Sequence, residues 1–207
     1  MNPPAGSRPR AAGRGGRPAV LSRERIVAAA VEILDAEGLE ALTMRRLGTR
    51  LDVAAMSLYR HLPNRDALLT ALVGHLFAEA VAEPVPAVPW TEALRLFALA
   101  YRRTLLAHPD AVPLLATHPV DVDTGLTLLA GLLERFAASG VARQDALTAV
   151  QSVGVYVLGH ALAQVGRPLG TRPAAPVADP AVAAFYDEWF EAGLLAMVTG
   201  FERRLTA

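Results

Sequence analysis

The sequence predicts an all-α fold, and three observations predict it. Apolar residues recur at helical spacing through most of the chain, no run keeps the two-residue alternation of a half-buried strand, and Pro or Gly clusters fall where helices must stop. The expected architecture is a Pro/Gly-rich arm over residues 1–20, a three-helix module with a helix-turn-helix over 21–66, and a larger helical domain over 67–207.

The arm holds four Pro, four Gly and four Arg, a composition that cannot sustain a helix and predicts a mobile segment. Ser22 then offers an N-cap, with Leu21 and Ile26 spaced as a hydrophobic staple. Ile26, Ala30, Ile33 and Leu34 repeat at helical spacing up to Gly38, a left-handed stop for the first helix. Thr43 caps a second, short helix, Met44–Leu51, whose Leu47 and Leu51 face a core while Arg45, Arg46 and Arg50 point outward. Asp52-Val53 makes a tight turn, Asp being tolerated in left-handed geometry. A third helix runs from Ala54 or Ala55 to His61 and must end by Leu62, because Pro63 disfavours helical geometry in the residue before it. Asn64 caps a fourth helix that reaches about Ala82 through Leu68, Leu69, Leu72, Leu76 and Phe77.

Pro84, Pro86 and Pro89 make a stiff break. Beyond it, helices are expected over Trp90–Ala107, around Ala111–Ala116, over Thr124–Ser139 with a stop at Gly140, and over Gln144–Gln164. Residues 166–180 hold four Pro and two Gly and read as a loop, after which a last helix opens at Pro180 or Ala181 and runs to about Leu205. In it Tyr186, Phe190, Leu194, Met197 and Phe201 form one apolar stripe, with Phe185, Trp189, Ala192 and Ala196 adjacent. That width serves an intrachain core and a second surface together, as a dimer interface requires; a fully enclosed core helix is the alternative.

Composition excludes several classes. With 53% hydrophobic and 19% charged residues, the 207-residue chain can bury a sizeable core. It has no cysteine, hence no disulfide framework, thiolate metal site or cysteine nucleophile. The N-terminal arginines precede no apolar run, so no secretory signal is expected and the chain is assigned to the cytoplasm. Ala146–Gly166 runs 21 residues without a charge, but it carries Gln151, His160 and Gln164 and reads as a buried or dimer helix rather than a membrane span. The 20 basic residues, all Arg, balance 20 acidic ones unevenly: residues 1–65 hold 11 basic against 6 acidic side chains, and residues 66–207 hold 9 against 14. A basic module that meets an anion, joined to an acidic body, is the implied division.

Two short helices joined by a tight turn have the size of a helix-turn-helix, whose second helix enters the major groove because that groove is wide and shows an unambiguous donor and acceptor pattern. Here the second helix offers Ala55, Met56 and Ser57 at its start and Tyr59, Arg60 and His61 later. Small residues at the start let the backbone approach base edges, and the polar ones reach bases or phosphates. Arg65, at the next helix's first turn, combines a cation with an amino-terminal dipole, both favouring phosphate.

The run from Arg23 to Leu72, with Gly38, Leu42-Thr43, Arg46-Leu47, Leu51, Val53, Leu58-Tyr59, His61 and Asn64 to Leu69, resembles the DNA-binding domain of the TetR (tetracycline repressor) family. More weakly, Trp90 through Ser139, with Arg102-Arg103 and Thr117-His118-Pro119, and the Tyr156–His160 region resemble the carboxy-terminal domain of the repressor that gives the family its name. The resemblance implies an all-helical homodimer that binds a palindromic operator and is released by a small inducer. It also implies that Tyr59 and Arg65 contact phosphate, that Thr43 packs against the DNA backbone, and that Arg45 reads a base; a bidentate Arg–guanine pair is worth about 1–3 kcal/mol of discrimination. Met44 and Met56 occupy reading positions but depart from the repressor's residues, so its operator sequence does not carry over. The plainer alternatives are that Tyr59 is a core aromatic and Arg45 a solvated charge.

In the second domain the resemblance aligns Leu114 and Ala163 with the histidine and glutamate that hold the inducer's magnesium, and His118 with an arginine. Neither Leu nor Ala ligates a hard cation, so a tetracycline–magnesium inducer, a metal or a cofactor is not expected. The candidate effector-binding residues are Tyr101, Leu114, His118, Gln151, Val155 and Tyr156, with His160 a further polar candidate; core or interface roles are the alternative for each. In the arm, Arg14-Gly15-Gly16-Arg17-Pro18 lies one glycine from a minor-groove Arg-Gly-Arg-Pro core, so it adds DNA contacts or is a solubilising tail. An all-helical enzyme or small-molecule binder is the competing function, and a non-specific DNA-architectural protein is a third. Against an enzyme, the five histidines His61, His75, His108, His118 and His160 are scattered, and no metalloprotease or phosphate-loop motif occurs. The expected partners are a double-stranded operator, an effector and a second copy of the chain, with no membrane.

Overall fold

A computed structural model describes residues 20–165 and 179–205. The arm, with its candidate minor-groove arginines, and most of the 166–180 loop lie outside the described residues. Those described form helices and turns, with no strand among them.

Capping sets the first helices. In α1 (Arg23–Glu37) Ser22 Oγ accepts the Arg25 N–H at 3.2 Å, and the Gly38 N–H returns to the Leu34 carbonyl at 2.9 Å. Gly38 has the positive φ expected of a stop, but its ψ of 172° is extended rather than left-handed helical. That region is open essentially to glycine alone. A 3-10 turn, Leu39–Ala41, leads to α2 (Met44–Leu51), where Thr43 Oγ1 accepts the Arg46 N–H at 3.1 Å. The third helix, α3, covers only Ala55–Leu58, shorter than expected, because the chain already turns through Tyr59–His61 ahead of Pro63. Asn64 Oδ1 caps α4 (Arg65–Ala80) on the Ala67 N–H at 2.7 Å.

The body comprises α5 (Trp90–Ala107), a 3-10 turn at Pro109–Ala111, α6 (Val112–Thr117), α7 (Val122–Leu128), α8 (Ala130–Ala138), α9 (Arg143–Val165) and α10 (Pro180–Leu205). The helix expected over 124–139 is two. It starts earlier, because the Asp121 carboxylate accepts the Thr124 N–H at 3.0 Å, and it breaks at Leu129. The break lets α8 turn Leu132 and Phe136 inward, where Phe136 stacks on Trp90 with centroids 4.7 Å apart, while α7 buries nothing.

Helix α5 is the axis of the body, packing against α4, α8, α9 and α10, while α1 packs against α2, α4 and the Pro109–Ala111 turn. One apolar cluster runs from Ile26, Leu34, Leu47 and Leu58 through Leu72 and Leu94 to Val153 and Leu194. Helix α9 is long and apolar enough to cross a membrane by composition alone, but α5, α6, α8 and α10 pack on it. It buries Ala146, Ala149, Val150, Val153, Val157, His160 and Ala161 and leaves Val155 and Leu162 exposed. In α10, Phe190 and Leu194 are buried and Met197 and Phe201 pack partly against the core. Phe185 and Trp189 on the adjacent stripe stay 61% and 46% exposed, so this helix is not enclosed.

Candidate nucleic-acid interface

The turn between α2 and α3 fixes the recognition helix. Asp52 takes the left-handed conformation, φ 55° and ψ 46°, and the Val53 N–H donates to the Gly48 carbonyl at 2.9 Å in a six-to-one closure. The closure brings the two helices so close that a Cβ on Gly48 would stand 2.8 Å from the Val53 oxygen and 3.3 Å from the Ala55 nitrogen. Only glycine fits this site without moving the backbone, and the sequence signal was a glycine inside a helical pattern. A cleft of about 410 Å³ runs beside the turn, lined by Arg45, Gly48, Thr49, Asp52, Val53, Ala54 and Ala55. Thr49, not singled out from sequence, borders it.

Ion pairing sorts the three arginines of α2. Arg46 grips Glu37 of α1 through two bonds from Nε at 2.9 and 3.1 Å, and Arg50 pairs with Glu32 of α1. Arg46 holds the Glu37 carboxyl below the usual carboxylate range, chiefly by hydrogen bonding. These two cations clamp α2 to α1. Arg45 is exposed and makes no ion pair among the described residues, so its charge is directed outward.

Thr43, Met56, Tyr59, Arg60, His61 and Arg65 are also exposed, while Ala55 and Ser57 are half-buried. Met56 is 74% exposed at the start of the recognition helix, and Tyr59, at 40%, is not the enclosed core aromatic of the alternative reading. One residue must be withdrawn. Met44 is 8% exposed and belongs to the apolar core, because it shares the helical face of Leu47 and Leu51.

The six candidate effector residues lie on α5, on α6 and the segment after it, and on α9, and they differ in burial. Tyr101 and Leu114 are in the core; Tyr101 meets Phe77 edge-on at 5.6 Å and stacks near Phe97, and burial pushes its hydroxyl up to about 12. Tyr156 faces α10, donating to the Phe190 carbonyl at 2.9 Å. His118 is half-buried after α6, with Nδ1 3.2 Å from the Thr117 hydroxyl. Gln151 and Val155 must be corrected: both lie on the exposed face of α9, away from the core face that carries Val153 and Val157. A cavity of about 430 Å³ between α8 and α9, lined by Leu133, Glu134, Val141 and Arg143 among others, includes none of the six.

His160, the further polar candidate, is buried. It is 3% exposed, ringed by Tyr156, Tyr186, Trp189 and Phe190, and neither ring nitrogen has a hydrogen-bond partner among the described residues. Burial, then the nearby Arg102 guanidinium, hold its imidazole below the ordinary histidine value. Arg102 is mostly buried, bonds Asp187 at 2.7 Å and Gln164 at 3.0 Å, and lies over the Phe190 ring at 4.6 Å. No cluster of three potential metal ligands occurs among the described residues.

Comparison with known proteins agrees with this arrangement. Residues 26–72 match the family model of bacterial regulatory proteins, tetR family, and residues 83–184 match the tetracyclin repressor-like C-terminal domain. The chain is 33% identical over 204 residues to the class D tetracycline repressor protein of Escherichia coli, covering 90% of this chain and 92% of that protein. It is 37% identical over 146 residues to an HTH-type transcriptional regulator of Saccharopolyspora erythraea, covering 70% of this chain and 61% of that one. Among solved structures, the TetR family protein ActR of Streptomyces coelicolor in complex with actinorhodin superposes with a TM-score of 0.72 at 29% identity, over 91% of this chain and all of that one. BioQ with its double-stranded DNA operator superposes at 0.65 and 30% identity, over 88% and 98%. On these matches, and on a reading module built as just described, the chain belongs to the tetR family of bacterial regulatory proteins and is a DNA-binding transcriptional regulator.

Proposed function

We propose that this regulator is a cytoplasmic repressor that binds a palindromic operator as a homodimer and leaves it when a small, largely apolar effector enters the body. The reading module is residues 21–66 and the sensing and dimerising body is residues 67–207. The observation that carries the reading is the outward set of Arg45, Tyr59, Arg60, His61 and Arg65 around a turn that fixes the short α3, while Arg46 and Arg50 are spent on α1. Arg45 reads a base, Met56 and Ser57 face base edges, and Thr43, Tyr59 and Arg65 position the phosphate backbone.

Dimerisation is supported by the apolar side chains left exposed on α9 and α10: Val155, Leu162, Val182, Phe185, Trp189 and Leu195. Two helices per protomer make a four-helix contact of the kind that obligate dimers bury. Tyr101 and His160 in a largely apolar interior give an effector polar anchors. ActR's complex with actinorhodin supports an organic effector, and BioQ's with its operator supports the DNA partner. The function needs no catalytic residue.

The test is selection of duplexes from genomic fragments with the full-length protein, followed by gel shifts. A specific palindrome bound roughly 10³-fold more tightly than random DNA is expected. Arg45→Ala should lose that preference, and Tyr59→Phe should weaken binding to palindrome and random DNA alike, both with the dimer intact; wild-type footprints and affinities from both variants would overturn the assignment. Equal affinity for every duplex would favour a non-specific DNA binder instead.

A further inference from the structure

His108 stands where three segments meet. It ends α5, its N–H donating to the Thr104 carbonyl at 3.0 Å, and its own carbonyl accepts the Ala111 N–H at 2.9 Å to open the 3-10 turn that packs on α1. Its Nδ1 lies 2.9 and 3.0 Å from the two carboxylate oxygens of Asp35, near the end of α1. Its Nε2 lies 3.4 Å from Glu79, in the last turn of α4. The His108 side chain is 14% exposed, while the Asp35 and Glu79 carboxylates it meets are partly open to solvent, at 35% and 47%.

The connectivity is what distinguishes this ring. The Arg46–Glu37 and Arg50–Glu32 bridges stay inside the reading module, and Arg102–Asp187 stays inside the body. His108 joins the module, through Asp35, to the body, through α5, and to α4, which runs between them. Apolar packing of α1 on α4 holds the two parts together, but the hydrophobic effect that drives it is non-directional. A directed bond from a ring fixed by the α5 terminus to one carboxylate on α1 resists rotation of one part on the other.

We propose that His108 is a positioning residue for operator binding: it sets the angle of the reading module on the body, so that a dimer presents its two recognition helices at one fixed separation. This rests on the dimeric, palindrome-binding reading above. Half-sites one helical turn apart are separated by about 34–36 Å, and a rotation at the module–body joint moves α3 along that axis. Loss of the bond leaves each reading head intact and loosens the spacing between heads. A residue that merely stabilised the fold would weaken every mode of DNA binding alike.

The experiment uses full-length protein and the palindrome recovered by selection, in three forms: native spacing, spacing changed by one base pair either way, and a single half-site in a duplex of equal length. His108→Ala should lose about tenfold in affinity at native spacing, a coupling of ordinary size. It should bind the half-site within about twofold of wild type and accept the altered spacings more nearly equally. Asp35→Ala, which removes the acceptor, should reproduce that pattern, and His108→Arg, which can again bond Asp35, should restore the sharp spacing preference. Parallel loss on half-site and palindrome, or a spacing profile unchanged in both His108→Ala and Asp35→Ala, would overturn the proposal. Failure of the dimeric reading is visible separately, as wild-type protein that binds half-site and palindrome equally, and it overturns both.

Discussion

The Tyr156 phenol of α9 fits into the notch left by Gly193 on α10, donating to the Phe190 carbonyl at 2.9 Å. A Cβ at Gly193 would lie 2.8 Å from the phenol Cζ and closer still to its oxygen. Gly193→Ala must therefore push Tyr156 off its bond and away from the stacked Phe190, 5.6 Å away. Overpacking of this kind costs about 1–3 kcal/mol, of which alanine's better helix propensity within α10 offsets roughly 0.5–1 kcal/mol. Thermal unfolding should show a lower Tm, and Tyr156→Phe, which removes only the bond, should cost less. Because α9 and α10 carry the exposed apolar stripes, Gly193→Ala should also shift the dimer equilibrium toward monomer in sedimentation. Wild-type Tm and assembly would mean that the two helices separate freely.

Gly48 controls the recognition helix rather than the stability of α2. A methyl there meets the Val53 carbonyl and the Ala55 nitrogen, both backbone, so α3 must move. Alanine is the better helix former by up to about 1 kcal/mol, which offsets part of the strain. Gly48→Ala should accordingly keep near-native helicity by circular dichroism and lose specific operator binding. Retained operator affinity would show that the turn adapts without moving α3.

The helical skeleton was legible because its punctuation is local. Ser22, Thr43 and Asn64 cap the helices they are expected to cap, and α5 has the bounds expected after the Pro84–Pro89 break, Trp90–Ala107. Met44 was placed on the DNA by resemblance although its own spacing, three and seven residues before Leu47 and Leu51, put it in the core. Gln151 and Val155 were misplaced for the opposite reason. A helix apolar nearly all round has no phase, so sequence cannot say which face is inward. Arg45, Arg46 and Arg50 look alike in sequence, and only the positions of Glu37 and Glu32 on α1 separate the outward-directed cation from the two clamps. The same holds for His108, one of five scattered histidines until α1 and α4 bring it two carboxylates.

Tyr101 should be distinguishable by alkaline titration. Burial among Phe77 and Phe97 raises its hydroxyl to about 12, whereas exposed tyrosines ionise near 10. The raised value means that the neutral phenol stabilises the fold fully below the unfolded value, and this contribution is lost as pH rises through the folded one. Ultraviolet absorbance of tyrosinate should therefore show a late step among the four tyrosines. Burial raises the Tyr156 hydroxyl as well, so Tyr101→Phe should delete the latest part of that step and reduce the alkaline loss of stability. A titration complete near pH 10 in folded protein would place Tyr101 in water.

His160 makes the matching prediction on the acid side. Burial and Arg102 lower its imidazole, so the folded protein holds it neutral while the unfolded chain protonates it near its ordinary value of 6.5. Between the unfolded and the lowered folded value the unfolded state binds more protons, and stability falls as pH falls through that window. The full contribution is present above the unfolded value. Replacing the ring by an apolar one of similar breadth, His160→Phe, removes the proton uptake and preserves the packing against Trp189 and Phe190. The variant's Tm should then decline less steeply than wild type's from pH 7 toward pH 5, with the two curves closest in shape above pH 7. An unaltered acid slope would mean that another group carries the uptake, and that protonated His160 finds in Tyr186, Trp189 and Asp187 the partners it lacks when neutral.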